Sequence, residues 1–114
     1  MKFKVCGLFN DKNIQEVTEL NPDYIGHIFW KKSVRYVENS TPELKKGIKK
    51  TGVFFNSNIE NIYDKIESHG LSCVQLHGEE SPQICKQIKD NRIEVIKSFR
   101  IDDYFDYNIL NKYE

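Results

Sequence analysis

A stretch long and apolar enough to cross a bilayer, which takes roughly 20 residues, is absent from this sequence. Met1-Lys2-Phe3-Lys4-Val5 also lacks the extended apolar core of a secretory signal. The expectation is a cytoplasmic protein. Cysteine is scarce: Cys6, Cys73 and Cys85 are odd in number and widely spaced, so neither a disulfide framework nor a zinc knuckle is indicated. They read as free thiols in a reducing compartment. Charge of one sign is not in excess, because 17 basic residues meet 17 acidic ones, mixed along the chain. Nucleic acid and membrane therefore gain no support as partners. Linker-like and low-complexity tracts are missing too, so 114 residues with 39% hydrophobic content are expected to form one domain.

What is present is a repeating grammar. Short β-rich runs recur at Phe3 to Cys6, Tyr24 to Phe29, Gly52 to Phe55, Cys73 to Leu76 and Glu94 to Phe99. Between them, apolar residues stand three or four apart: Ile14, Val17 and Leu20; Ile59, Ile62 and Ile66; Ile84, Cys85 and Ile88. Thr41-Pro42 and Ser81-Pro82 place a hydroxyl cap before a proline whose missing amide costs nothing at a helix start. Asp11 and Asn58 can cap two more helices, and Gly70 suits a left-handed C-terminal cap. Helices are thus expected from Asp11, from Thr41 to Lys49, from Asn58 to His69 and from Ser81. A last one is expected in Asp103 to Lys112, where Phe105, Ile109 and Leu110 have helical spacing.

Strands alternating with helices over short connections predict a parallel sheet, covered on both faces through right-handed crossovers. Five βα units fit two architectures: an open doubly wound sheet of the flavodoxin type, or part of a (β/α)8 barrel. A complete barrel takes about 200 residues or more, so this chain would supply only some of its staves.

In both architectures chemistry sits at the C-terminal ends of the strands. There the sequence shows Lys4-Val5-Cys6-Gly7, then Gly26-His27-Ile28-Phe29 running into Ser33-Val34-Arg35-Tyr36, then Gly52-Val53-Phe54, Val74-Gln75-Leu76-His77-Gly78 and Ile96-Lys97-Ser98-Phe99. In order and spacing this set resembles the phosphoribosylanthranilate isomerases. Their pattern is lysine-x-cysteine-glycine, glycine-phenylalanine-x-phenylalanine leading to serine-proline-arginine-tyrosine, glycine-valine-phenylalanine, and valine-glutamine-leucine-histidine-glycine. Lys31 and Val34 stand where the family usually has prolines, and His27 where phenylalanine is common.

The resemblance implies a parallel TIM-barrel fold. Residues 1–114 would form the N-terminal part of a single (β/α)8 domain, with the C-terminal three βα units absent. It implies an Amadori rearrangement of N-(5-phosphoribosyl)anthranilate in tryptophan biosynthesis, a phosphorylated sugar–anthranilate as the small-molecule partner, and no cofactor or metal. A general acid must protonate the ribose ring oxygen and a general base must take the C2 proton.

The base maps onto Cys6. An isolated thiol on an apolar strand is more often buried and inert, but Cys6 ends its strand beside Gly7. Arg35 maps onto the residue that holds the anthranilate carboxylate, which its planar fork suits better than lysine would. His77 would line the pocket, against the alternative of a histidine satisfied by backbone contacts. Trp30 could flank the anthranilate ring, although such aromatics more often pack. Asp102 and Asp103 read as helix caps, His69 as a capping or surface residue, and Cys73 and Cys85 as core filler.

The family's general acid, an aspartate ending the sixth strand, and its phosphate-binding glycine loops would follow residue 114. The chain alone is therefore expected to be inactive, and to self-associate or take up a complementing C-terminal half through its unpaired edges. The competing view is a self-contained (βα)5 flavodoxin-like binding module. Such a module calls for an acidic cluster or a hydroxyl-rich phosphate loop after the first strand, and Cys6-Gly7-Leu8-Phe9-Asn10 offers neither. No G-x-G-x-x-G follows that strand, which removes the dinucleotide fingerprint.

Overall fold

Side-chain oxygens start the helices. In the computed structural model, which describes residues 1–114, the Asn10 side chain accepts from the Asn13 backbone N–H (3.2 Å), Asn58 from Asn61 (2.8 Å) and Ser81 from Ile84 (3.3 Å). These caps satisfy amides that have no partner in the first turn. They open α1 (Asp11–Thr18), α2 (Ile59–His69) and α3 (Pro82–Asp90). Asp11, read from the sequence as a cap, is instead the first helical residue, where its carboxylate suits the positive end of the helix. Gly70 ends α2 at φ 63°, ψ 44°, and its N–H donates to the Ile66 carbonyl.

The strands are β1 (Lys4–Val5), β2 (Tyr24–Ile28), β3 (Lys49–Phe54), β4 (Cys73–Leu76) and β5 (Glu94–Lys97). All pair in parallel in the order β1-β2-β3-β4-β5. A flavodoxin-type sheet would place β2 outside β1, so this order excludes it. The sheet is also strongly curved. The Tyr24 hydroxyl of β2 donates to Glu94 Oε1 of β5 at 2.5 Å. In a flat sheet three strand spacings would hold those side chains about 14 Å apart.

Alternation assigns the two faces. Phe54 of β3 and Val74 and Leu76 of β4 point to the convex side, where they pack with Ile62 of α2, Cys85 and Ile88 of α3, and Phe29, Val37 and Leu71. The register places Tyr24, Gly26, Lys49, Thr51, Cys73, Gln75 and Glu94 on the concave side. Helical cover thus lies on one face, which corrects the expectation of two. Same-handed crossovers between sequentially ordered strands all turn to the same side.

Two helix expectations fail. Residues 41–48 form no helix. The Thr41 and Pro42 carbonyls accept from Lys50 Nζ (3.4 and 3.0 Å), the Thr41 hydroxyl bonds His69 Nδ1 (3.0 Å), and Gly47 sits at φ 97°. Those contacts use the groups a first helical turn would need. The C-terminal segment forms a 3-10 helix, η1 (Tyr107–Tyr113), in place of an α-helix over 103–112. The Asp106 side chain bonds the Asn108 N–H and its carbonyl accepts from Ile109, three residues on, which sets the tighter winding.

Candidate active site

The end of β1 folds toward β2 because the N–H groups of Gly7 and Leu8 both donate to the Gly26 carbonyl, at 3.0 and 3.1 Å. Cys6 is exposed there. Gly26 makes room for its thiol: a Cβ on Gly26 would stand 2.9 Å from Cys6 Sγ and 3.1 Å from Lys4 Nζ. The lysine ammonium and the thiol therefore adjoin the same point. A thiol acts as a base or nucleophile only as its thiolate. Lys4 is not among the site residues expected from the sequence. Its spacing of two from Cys6 was the available signal, since that spacing puts both on one face of a strand.

Arg35 reaches the same rim from β2. Tyr36 bridges to Ile28 in parallel, the Val37 N–H donates to the Ile28 carbonyl (2.9 Å), and Val37 is buried, so the loop returns to the sheet edge. The Arg35 N–H donates to Ser33 Oγ (3.1 Å). Its side chain then crosses the backbone of Gly7, where an added Cβ would meet Arg35 Cδ at 2.8 Å and Nη1 at 3.3 Å. Gly7, at φ 79°, thus seats the arginine beside the residue that carries the thiol. The guanidinium is in none of the chain's ion pairs.

His77 stands elsewhere on the rim. It follows β4, its N–H donates to the Phe54 carbonyl (2.9 Å), and its side chain is exposed. It lines a cavity of about 970 Å³ with Asn56, Lys97, Ser98, Phe99 and Tyr113, among others. Cys6 and Arg35 are not part of that lining. Trp30 packs against Phe55 with the rings tilted by 34° and centroids 4.8 Å apart, and both are partly exposed at the ends of β2 and β3.

A buried ion pair braces this second region. Glu80, 4% exposed, accepts from the Asn56 N–H (2.8 Å) and the Gly78 N–H (3.0 Å), and Lys97 Nζ lies 3.4 Å away. Lys97 also donates to the carbonyls of Gly78 (2.6 Å), Ser98 (2.8 Å) and Leu76 (3.4 Å). The ends of β3, β4 and β5 are thereby tied together around His77. Burying two charges is costly unless such hydrogen bonds complete them. Neither residue stands out in the sequence, because their pairing joins positions 17 apart through the tertiary fold.

At the opposite end of the concave face, Glu94 pairs with Lys49 and accepts from Tyr24. Those two hydrogen bonds, Lys49 first, hold its carboxyl below the usual range. Tyr24 and Lys49 are correspondingly raised, each chiefly through its hydrogen bond to Glu94. Burial pushes the thiols of Cys73 and Cys85 up, which suits their packing role. No group of three His, Cys, Asp or Glu side chains is arranged to hold a metal ion.

Curved sequential parallel strands, helices on the convex side and polar groups gathered at the C-terminal rim define the (β/α)-barrel class of proteins. A family model narrows it. Residues 3–114 match the model of N-(5'phosphoribosyl)anthranilate (PRA) isomerase, and the chain belongs to that family. It is 37% identical over 114 residues to the N-(5'-phosphoribosyl)anthranilate isomerase of Phocaeicola vulgatus, covering 100% of this chain and 56% of that protein. The Parabacteroides distasonis enzyme is also 37% identical, with 100% and 54% covered. The chain thus spans about half the length of the curated relatives it matches.

Among solved structures, phosphoribosyl anthranilate isomerase from Thermotoga maritima superposes with a TM-score of 0.77 at 35% identity, over 85% of this chain and 49% of that one. A phosphoribosyl anthranilate isomerase in complex with reduced 1-(o-carboxyphenylamino)-1-deoxyribulose 5-phosphate gives 0.82 at 31% identity, covering 98% and 58%. The parallel α/β fold, matching TIM-barrel relatives over about half their length, follows from both.

Proposed function

We propose that residues 1–114 form the N-terminal part of one (β/α)8 domain, completed by three further βα units. In this reading they carry the anthranilate side of a site that isomerises N-(5-phosphoribosyl)anthranilate to 1-(2-carboxyphenylamino)-1-deoxyribulose 5-phosphate in the cytoplasm. The observation that carries the reading is the crossing of Arg35 over Gly7, beside Cys6. One solved relative is a complex with an o-carboxyphenylamino sugar phosphate, whose carboxylate is the kind of group a guanidinium fork binds.

Protonation of the ribose ring oxygen, by an acid carried on the remaining βα units, breaks the ring C1–O bond as the nitrogen lone pair forms the C1=N bond of an iminium ion. The Cys6 thiolate then takes the C2 proton, the electron pair shifts into the C1–C2 bond and neutralises the iminium nitrogen, and the resulting enol tautomerises to the ketone. Lys4 lies beside the thiol across Gly26, Arg35 fixes the carboxylate, and His77 contributes to the substrate rim.

The test is a chimera joining residues 1–114 to the remainder of the Phocaeicola vulgatus relative, with turnover followed by anthranilate fluorescence. The chimera should turn over, and Cys6→Ala should lower kcat by about 10²–10⁴, the usual range for losing an acid–base group. The 114-residue chain alone should not turn over. An unimpaired Cys6→Ala chimera would end the assignment of the base, and turnover by the short chain would end the domain proposal.

A further inference from the structure

His27 is fully buried on the convex side of β2, with Nδ1 2.8 Å from the Leu8 carbonyl. A carbonyl can only accept, so Nδ1 carries the proton. Nε2 is buried and has no hydrogen-bond partner, which leaves it the bare nitrogen. Leu8 belongs to the turn that holds the candidate base. On its other side that turn is held by the bonds from Gly7 and Leu8 N–H to the Gly26 carbonyl.

We propose that His27 is a positioning residue: as a neutral Nδ1–H donor it clamps the Cys6-Gly7-Leu8 turn onto β2, and through that turn it sets the thiol and the seat of Arg35. The neutral form is the one its surroundings support. Burial is the first cause that pushes the imidazole below its ordinary range, Lys50 of β3 and His69 of α2 add to it, and the Leu8 carbonyl opposes them. A second ring proton would point at no acceptor. His27→Phe keeps a ring of similar size and removes the donor. His27→Asn places an amide N–H where Nδ1 stood, and so restores it.

The test compares both variants in the 114-residue chain and in the chimera, measuring amide hydrogen exchange at Gly7 and Leu8 and alkylation of Cys6 by iodoacetamide. With His27→Phe, exchange and alkylation should rise about tenfold, the ratio expected for loss of one buried hydrogen bond, and His27→Asn should return both toward the parent values. Long-range proton–nitrogen spectra of the parent should show the proton on Nδ1. A proton on Nε2, or a Phe variant with unchanged exchange and alkylation, overturns the proposal. The spectra decide it even where the Phe variant fails to fold.

The catalytic consequence rests on reading Cys6 as the base: in the chimera His27→Phe should lower kcat with little change in KM, and Asn should recover it. Exchange, alkylation and spectra need no turnover, so failure of the isomerase reading and failure of the clamp are told apart.

Discussion

Tyr24 and Glu94 hydrogen-bond at 2.5 Å, although two whole strands lie between the ones that carry them. Lys49, from an intervening strand, completes the cluster on the same carboxylate. The contact locks the curvature of the sheet at the end opposite the candidate site.

The first prediction concerns acid stability. The native Glu94 carboxyl lies below its unfolded value, so its contribution is present above the ordinary carboxylate range and is lost as pH falls through the depressed native value. The charged partners, Lys49 and Glu94, are partly exposed, and solvent screening keeps the effect small. Urea midpoints measured against pH should fall on the acid side in the parent, and Glu94→Gln should flatten part of that fall. Identical acid limbs would show that the cluster does not contribute.

The buried pair at the rim should respond more strongly. Removing one partner of a buried ion pair strands the other charge and typically costs about 3–5 kcal/mol. Lys97→Met should therefore lower stability by that order in denaturant unfolding, and replacing both Lys97 and Glu80 with apolar residues should cost less than Lys97→Met alone. Additive losses would mean that the two groups are not coupled.

The strand and cap pattern was legible in the sequence because it is local. Asn58, Ser81 and Gly70 act within a few residues of themselves, and β4 was bounded correctly by Cys73 and Leu76. Thr41-Pro42 carries the same local signal as Ser81-Pro82 yet starts no helix, because Lys50 and His69 take the Thr41 and Pro42 groups from outside the segment. The early start of β3 was missed for a related reason. Lys49 and Lys50 look solvated in sequence, but one pairs with Glu94 and the other is buried against carbonyls. Among the site residues, a strand end beside a glycine marked Cys6, whereas Arg35 stood out only through the family resemblance of its loop. The roles of Lys4, Gly7, His27, Glu80 and Lys97 depend on neighbours in space.

Gly7 offers a sharp probe of the arginine seat. Gly7→Ala places a Cβ 2.8 Å from Arg35 Cδ at a position with φ 79°, so the side chain must move. In the chimera KM should rise by about ten- to a hundredfold, the loss expected when hydrogen bonds to a charged group are removed. Arg35→Lys should act in the same direction, since it loses the fork. An unchanged KM in both variants would show that the carboxylate is held elsewhere.

The three thiols should also separate by rate. Cys6 is exposed while Cys73 and Cys85 are buried, with thiols raised by that burial. Native alkylation followed by mass spectrometry should label Cys6 first, with the other two reacting after denaturation. Early labelling of Cys73 or Cys85 would contradict the packing described.

The most direct measurement is a crystal structure of the Cys6→Ala chimera with reduced 1-(o-carboxyphenylamino)-1-deoxyribulose 5-phosphate. The expected result has the carboxylate on the Arg35 guanidinium at about 2.7–2.9 Å. The sugar C2 should face position 6 at roughly 3–3.5 Å from where the sulfur would lie. A carboxylate bound instead in the cavity beside His77 and Lys97, with the sugar turned away from position 6, would contradict it.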